Sequence, residues 1–213
     1  TYYENRDASH GMKHIMTVLK NTKMILSNYE TYKDNEVTLI IAAALFHDAY
    51  DHKYVQNVKT VKTQISNDLL KFGFTKNEIE TMFLIIDAVS FSKEKKMRKH
   101  GKQIHDLLST TASAWEMRDI VSDADKIDAV SESAIDRMVY YGRHMNPEKS
   151  VEEHVGDIQQ HCEEKLFLLV QNNYIRTTSG RKIAEKAIEK LRLIVQDNTK
   201  LELYVKKLLS PAC

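Results

Sequence analysis

Apolar residues recur at helical spacing along almost the whole chain. Ile15, Val18, Leu19, Thr22 and Ile25/Leu26 line one face, after Ser9 as the expected N-cap. Leu39 to Leu45 is apolar nearly all round and runs on into Phe46, which predicts a central buried helix. Residues 59–71 and 75–89 read as two amphipathic helices split by FGFTKNE, with Gly73 as the expected C-cap and Thr75 with Glu78 as the expected capping box. Residues 111–123 and 124–142 predict a helix pair, or one bent helix, stopping at Gly142. Residues 149–172 and 179–208 read as two long helices divided by IRTTSG. No strand-like alternation persists and no repeat is visible. The charged stretch 92–105, SKEKKMRKHGKQIH, is the segment expected to be least ordered. The pattern predicts an all-α fold, organised as one domain over 1–213.

Composition sharpens this picture without redirecting it. Six glycines and two prolines in 213 residues leave few helix breakers. Apolar content of 42% and charged content of 29% suit a soluble globular chain with a sizeable core. Lys+Arg of 31 against Asp+Glu of 30 gives a net charge of +1, so the overall field does not favour nucleic acid or a membrane surface. No apolar run approaches the ~20 residues that span a bilayer. Cys162 and Cys213 fit neither a disulfide framework nor a thiolate zinc site, and a cytoplasmic location is the expectation.

Candidate chemistry begins where the most apolar helix ends, in LIIAAALFHDAYDHKY. There His47 and Asp48 stand side by side, and burying such groups unpaired is costly. His14 lies one turn before Val18 on an apolar stripe. Asp123, Asp125 and Asp128 crowd among Ile120, Val121, Ile127 and Val130. Taken singly, each has an ordinary explanation: a hydrogen-bonded core histidine, or an aspartate capping a helix. Together, two imidazoles, Asp48 and one Asp from 123–128 would suit an octahedral Mn²⁺, Fe²⁺ or Mg²⁺ with open positions. The thiolates of a structural zinc site are missing.

These residues resemble the H…HD…D motif of the HD-domain metal-dependent phosphohydrolase superfamily. SHGMKHIMTVLKNTKMI is similar to the first helix of that family, AAALFHDAYDHKY to its HD helix and following loop, and IIDAVSFSK to the segment beyond. VSDADKIDAVSESAIDRMVYYG resembles its Asp-rich helix. HCEEKLFLL and IRTTSGRKIAEKAIEKL resemble the C-terminal helices of the small stand-alone bacterial branch, some of whose members are nucleotide pyrophosphohydrolases. The resemblance implies a single HD-domain helical bundle, with a core over 10–142 and C-terminal helices over 149–208. It implies His14, His47, Asp48 and Asp123 as metal ligands. Asp51 and Lys53 fall beside the site, and Asp128 and Arg137 on the Asp-rich helix. The chain departs from the family pattern in the SESA run, residues 131–134, and in Val89, where a His is often found. The first departure bears on substrate choice rather than on the ligand set.

The expected cofactor is one divalent ion, Mn²⁺ first, with Mg²⁺, Fe²⁺ or Co²⁺ as alternatives. Asp51 is the expected acid/base beside the ligand Asp48, and Lys53 and Arg137 the expected substrate-binding cations. A buried ion pair with Asp128 or Asp136 is the other role open to Arg137. The expected substrate is a small-molecule nucleotide, a nucleoside triphosphate cut to monophosphate and pyrophosphate. A phosphomonoesterase, a cyclic phosphodiesterase and a non-catalytic nucleotide-binding module are the alternatives. Nucleic acid and membrane are not expected partners, and a homodimer is open. The basic run 93–102 reads either as a phosphate-attracting lid or as a solvated loop. Tyr2, Tyr3, Tyr50, Tyr54, Tyr140 and Tyr141 could stack a base or simply pack.

Overall fold

The computed structural model describes residues 2–3, 11–52, 54–108, 112–131 and 133–210. Ser9, His10, Lys53 and Cys213 lie outside the described residues. Among those described, regular structure is helical throughout. The chain divides into two compact units, Thr1–Ala124 and Asp125–Cys213, with the boundary inside one helix.

The first unit opens with α1 (Met12–Leu26), α2 (Asp34–Phe46), α3 (Val58–Lys71) and α4 (Lys76–Asp87). Gly11, not Ser9, occupies the N-cap of α1. Helix α2 packs against both α1 and α4. Its alanines, Ala42, Ala43 and Ala44, are buried with Leu39, Ile40 and Phe46 and let the neighbouring helices approach closely. Ile15, Val18 and Ile25 of α1 and Ile85 of α4 are fully buried in the same core. Each such aliphatic side chain contributes about 1.5–3 kcal/mol over an exposed one. The expected punctuation between α3 and α4 is present. Gly73 adopts φ +90°, which its missing Cβ permits, and the following amide of Phe74 returns to the Leu69 carbonyl. Thr75 then caps α4: its Oγ1 accepts from the Glu78 amide at 3.2 Å, and Glu78 accepts from the Thr75 amide at 2.8 Å.

The stretch expected to be least ordered is instead α5 (Phe91–Lys99) followed by a 3₁₀ turn, Ile104–Leu107. Ser90 caps α5, and Gly101 at φ +70° follows its end. The inward positions of α5 are Phe91, Glu94, Met97 and Arg98, while Lys95, Lys96 and Lys99 face outward. Glu94 is fully buried and held by Arg118 and Arg98 at 2.7 and 2.6 Å. Arg118 belongs to α6 (Ala112–Ala129); of the helix pair or single bent helix expected over 111–142, the chain forms a pair, with its division after Ala129 rather than near 123. The Arg118 guanidinium is itself fully buried and also donates to the Ala88 carbonyl at 2.8 Å and to Asp119 at 2.8 Å.

In the second unit the end of α6 is followed by α7 (Ala134–Met145), α8 (Val151–Glu164), α9 (Thr178–Val195) and α10 (Asn198–Leu209). Val155, Ile158 and Cys162 of α8, Ile188 and Leu191 of α9, and Leu201 and Val205 of α10 form its core. Three expected boundaries move. Helix α7 continues past Gly142, because this glycine makes room rather than a stop: a Cβ there would sit 2.8 Å from Cε1 of the buried His154. Helix α8 ends at Glu164, short of 172, in a 3₁₀ turn at Leu166–Leu168. The long helix expected over 179–208 is divided by Asp197, whose carboxylate accepts from the Lys200 amide at 3.1 Å and starts α10.

Candidate metal centre

His14 lies in the first turns of α1, on the face that carries Ile15 and Val18 inward. His47 follows the last residue of α2, and Asp48 opens the turn beyond it. Packing of α1 on α2 brings the three together. Each offers one donor atom, and all three atoms lie within 4.8 Å of one another. Nε2 of His14 and Nε2 of His47 are 3.1 Å apart, and Oδ2 of Asp48 is 3.6 Å from each. The imidazoles are almost wholly buried, with side-chain exposures of 6% and 1%, whereas Asp48 at 19% gives the cluster its open side.

The orientation of His47 is fixed from behind. Its Nδ1 lies 2.8 Å from the Ala44 carbonyl, which has only lone pairs, so Nδ1 carries the proton. Nε2, the lone-pair nitrogen of that tautomer, faces His14 and Asp48. Two inward-facing imidazole nitrogens can be satisfied by one shared proton or by one shared cation. Donors ~2.1 Å from a common ion stand about 3.0 Å apart at ~90° and about 3.5 Å apart at ~110°. Separations of 3.1, 3.6 and 3.6 Å correspond, at ~2.1 Å from a common ion, to angles of about 95° and about 118°. A two-imidazole, one-carboxylate set suits a divalent first-row ion better than calcium, which prefers all-oxygen shells. The donor set therefore fits a divalent cation.

The remaining predicted residues fall as follows. Asp123 is fully buried on α6 and does not join the mutual group of three. Asn21 of α1 donates to the Ala124 carbonyl at 3.0 Å, tying the His14 helix to α6 one residue past Asp123. Asp51 ends the turn that begins with Asp48: its amide donates to the Asp48 carbonyl at 3.1 Å, and its carboxylate lies 3.2 Å from His52 Nδ1. Arg137 pairs with the carboxylate and the carbonyl of Asp128, and Tyr204 donates to Asp136 at 2.9 Å. An ion pair was the second role the sequence left open for Arg137. Tyr2 donates to Asp68 and packs edge-on against Phe46, Tyr3 donates to the Leu45 carbonyl, and Tyr50 donates to Asp87. Tyr140 and Tyr141 are exposed.

Sequence reasoning passed over Asp87, Lys62, Glu94 and Arg118. Asp87 closes an apolar helix, a signal that could have been noticed. The pairing of Glu94 with Arg118 joins residues 24 apart and leaves no local trace.

No protein-family model matches the chain, and no curated protein matches it. Solved structures do. The Lin1889 protein of Listeria innocua is 25% identical, with a TM-score of 0.62 over 92% of this chain and 89% of that one. A Lactobacillus plantarum protein is 24% identical, with a TM-score of 0.64 over 95% and 92%. Bacillus subtilis YpgQ, crystallised in complex with ADP, is 21% identical, with a TM-score of 0.62 over 91% and 90%. These likenesses establish the all-α fold. No helix among the described residues is long and apolar enough to cross a membrane.

Proposed function

We propose that the chain is an HD-domain metal-dependent phosphohydrolase that cleaves nucleoside triphosphates to monophosphate and pyrophosphate. The observation that carries this reading is the convergence of His14, His47 and Asp48 on one point at the open end of a buried helix. Asp123 is the proposed fourth ligand, from α6. A divalent ion held there would lower the pKa of a bound water and polarise a phosphoryl group. The chain's own residues do the rest. His47 is locked in the tautomer that donates a lone pair, and the buried imidazoles keep water to the Asp48 side. Asp51, at 21% side-chain exposure in the same turn, is the proposed acid/base that would take a proton from water and return it to the leaving group. Lys53 would neutralise the distal phosphates. Its role rests on the sequence, and that of Arg137 recedes in favour of its pairing with Asp128. Nucleotide chemistry draws support from the ADP held by the structurally similar YpgQ.

The test is hydrolysis of a panel of nucleoside tri-, di- and monophosphates and cyclic diesters with Mn²⁺, Mg²⁺, Fe²⁺ and Co²⁺, with products separated by chromatography. Monophosphate and pyrophosphate from a triphosphate are expected. Inorganic phosphate from a monophosphate, with triphosphates untouched, would replace this reading with a phosphomonoesterase. Nucleotide binding without turnover under any metal would replace it with a binding module.

A further inference from the structure

The turn that carries Asp48 is anchored at both ends, and only the first anchor, His47 Nδ1 on the Ala44 carbonyl, belongs to the ligands themselves. The second lies three residues past His47. Tyr50 is buried, and its hydroxyl donates to Asp87 Oδ1 at 2.9 Å. Asp87 is the last residue of α4, where the helix dipole disfavours negative charge. The carboxylate is nevertheless held there by Lys62 of α3, whose ammonium donates to Oδ1 at 3.1 Å and to Oδ2 at 2.8 Å. The same ammonium lies 4.5 Å over the Tyr50 ring and 5.0 Å over the Phe83 ring, and those rings meet edge-to-face at 5.8 Å. Lys93 adds a bond to the Asp87 carbonyl at 2.8 Å. Residues of α3 and α5 thus converge on Asp87 of α4, which holds the tyrosine hydroxyl.

Packing alone would be met by a phenylalanine at position 50 and an apolar or cationic residue at the end of α4. A charged clamp at an unfavourable helix end, aimed at the residue two beyond Asp48, points to a different purpose. We infer that Tyr50, Asp87 and Lys62 are positioning residues that hold the 47–51 turn so that Asp48 stays in register with His14 and His47. This inference rests on the metal centre proposed above. Between the Ala44 carbonyl and Asp87, the turn has its amides of Ala49 and Asp51 bonded to Phe46 and Asp48 at 3.0 and 3.1 Å. Releasing Tyr50 would remove the tie between the turn and α4, and Asp48 would shift with it.

The test uses Tyr50→Phe in the full chain, which keeps the ring and removes one hydroxyl. Phe83→Leu serves as the control, since it loosens the same cluster without touching a hydrogen bond. Mn²⁺ affinity is read by calorimetry, the Co²⁺ visible spectrum reports ligand geometry, and melting is followed in chelator. Tyr50→Phe is expected to weaken Mn²⁺ binding roughly 10–100-fold, the usual effect of losing an outer partner of a metal site. It is also expected to alter the Co²⁺ spectrum. Phe83→Leu is expected to lower the melting temperature and leave the affinity near wild type. Tyr50→Phe binding Mn²⁺ within about twofold of wild type would overturn the inference. Wild-type protein that binds no divalent ion would refute the metal centre itself. Amide exchange then decides the clamp independently: the 48–51 amides should exchange faster in Tyr50→Phe while those of α1 do not, and unchanged exchange would overturn it.

Discussion

Replacing Arg118 by Met should cost the first unit several kcal/mol, although the residue lies in a helix interior that methionine suits well. The guanidinium is wholly buried and makes three separate connections: to Glu94 at 2.7 Å, to Asp119 at 2.8 Å and to the Ala88 carbonyl at 2.8 Å. Methionine would fill most of the stem volume and satisfy none of them. Glu94, itself fully buried, would lose Arg118 while Arg98 stays at 2.6 Å, and the Ala88 carbonyl would lose its Arg118 donor. Removing one partner of a buried ion pair typically costs about 3–5 kcal/mol, because the other charge remains desolvated. At about 2–4 °C per kcal/mol for a chain of this size, the melting temperature should fall by roughly 6–20 °C. The assay is urea and thermal unfolding followed by the fluorescence of Trp115, the only tryptophan in the sequence, which stacks on His105 at 5.3 Å in the same unit. The double variant Glu94→Met/Arg118→Met removes both charges and should recover about 1–3 kcal/mol of the loss. A single variant that loses under about 1 kcal/mol, or a double variant no more stable than the single, would refute the argument that uncompensated burial sets the cost.

Three other outcomes follow from the same structure. Gly142→Ala should destabilise the second unit by about 1–3 kcal/mol, because the new methyl meets Cε1 of His154 at 2.8 Å, and unfolding of the pair with His154→Ala should show a loss smaller than the sum. For Asp119, burial pushes the carboxyl up, but the His105 hydrogen bond and the Arg118 charge outweigh it and leave the group below its ordinary 3.8. A depressed carboxylate contributes stability above 3.8 that is lost as pH falls through its lower folded value, so Asp119→Asn should flatten the acid limb of the stability–pH curve. Asp51→Asn should keep the metal by calorimetry yet slow turnover roughly 10²–10⁴-fold, and a wild-type rate would leave Asp51 as a turn residue only.

What the sequence discloses is what is local or periodic. The Thr75–Glu78 capping box and the left-handed Gly73 are specified within a few residues and appear where expected. The burial of α2 follows from an unbroken apolar run. His14 and His47 stand out because an imidazole on an apolar stripe needs partners, and each finds the other and Asp48 among them. Helix α5 was hidden because one of its inward residues is a glutamate, which reads as polar until Arg118 is brought beside it. The division between α9 and α10 was hidden because it depends on a single aspartate cap with no glycine or proline near it. Asp123 is buried as a ligand would be, and its place relative to His14 is set by how α6 lies against α1, which residue spacing does not encode. The Tyr50–Asp87–Lys62 clamp is tertiary in the same way: its members come from three elements and share no motif.

Calorimetric titration of the chelator-treated full chain with Mn²⁺, beside His47→Ala, tests the central claim most directly. His47 offers its Nε2 lone pair to the cluster and follows the last residue of α2, beyond the residues that pack α2 on α1 and α4, so its loss should remove the ion without unfolding the chain. The account predicts one Mn²⁺ per chain for the wild type, a higher melting temperature with metal by mass action, about 2.7 kcal/mol at a hundredfold excess over Kd, and neither effect in folded His47→Ala. Wild-type protein that takes up no divalent ion and melts identically with chelator and with Mn²⁺, or His47→Ala that binds as tightly as wild type, would contradict it.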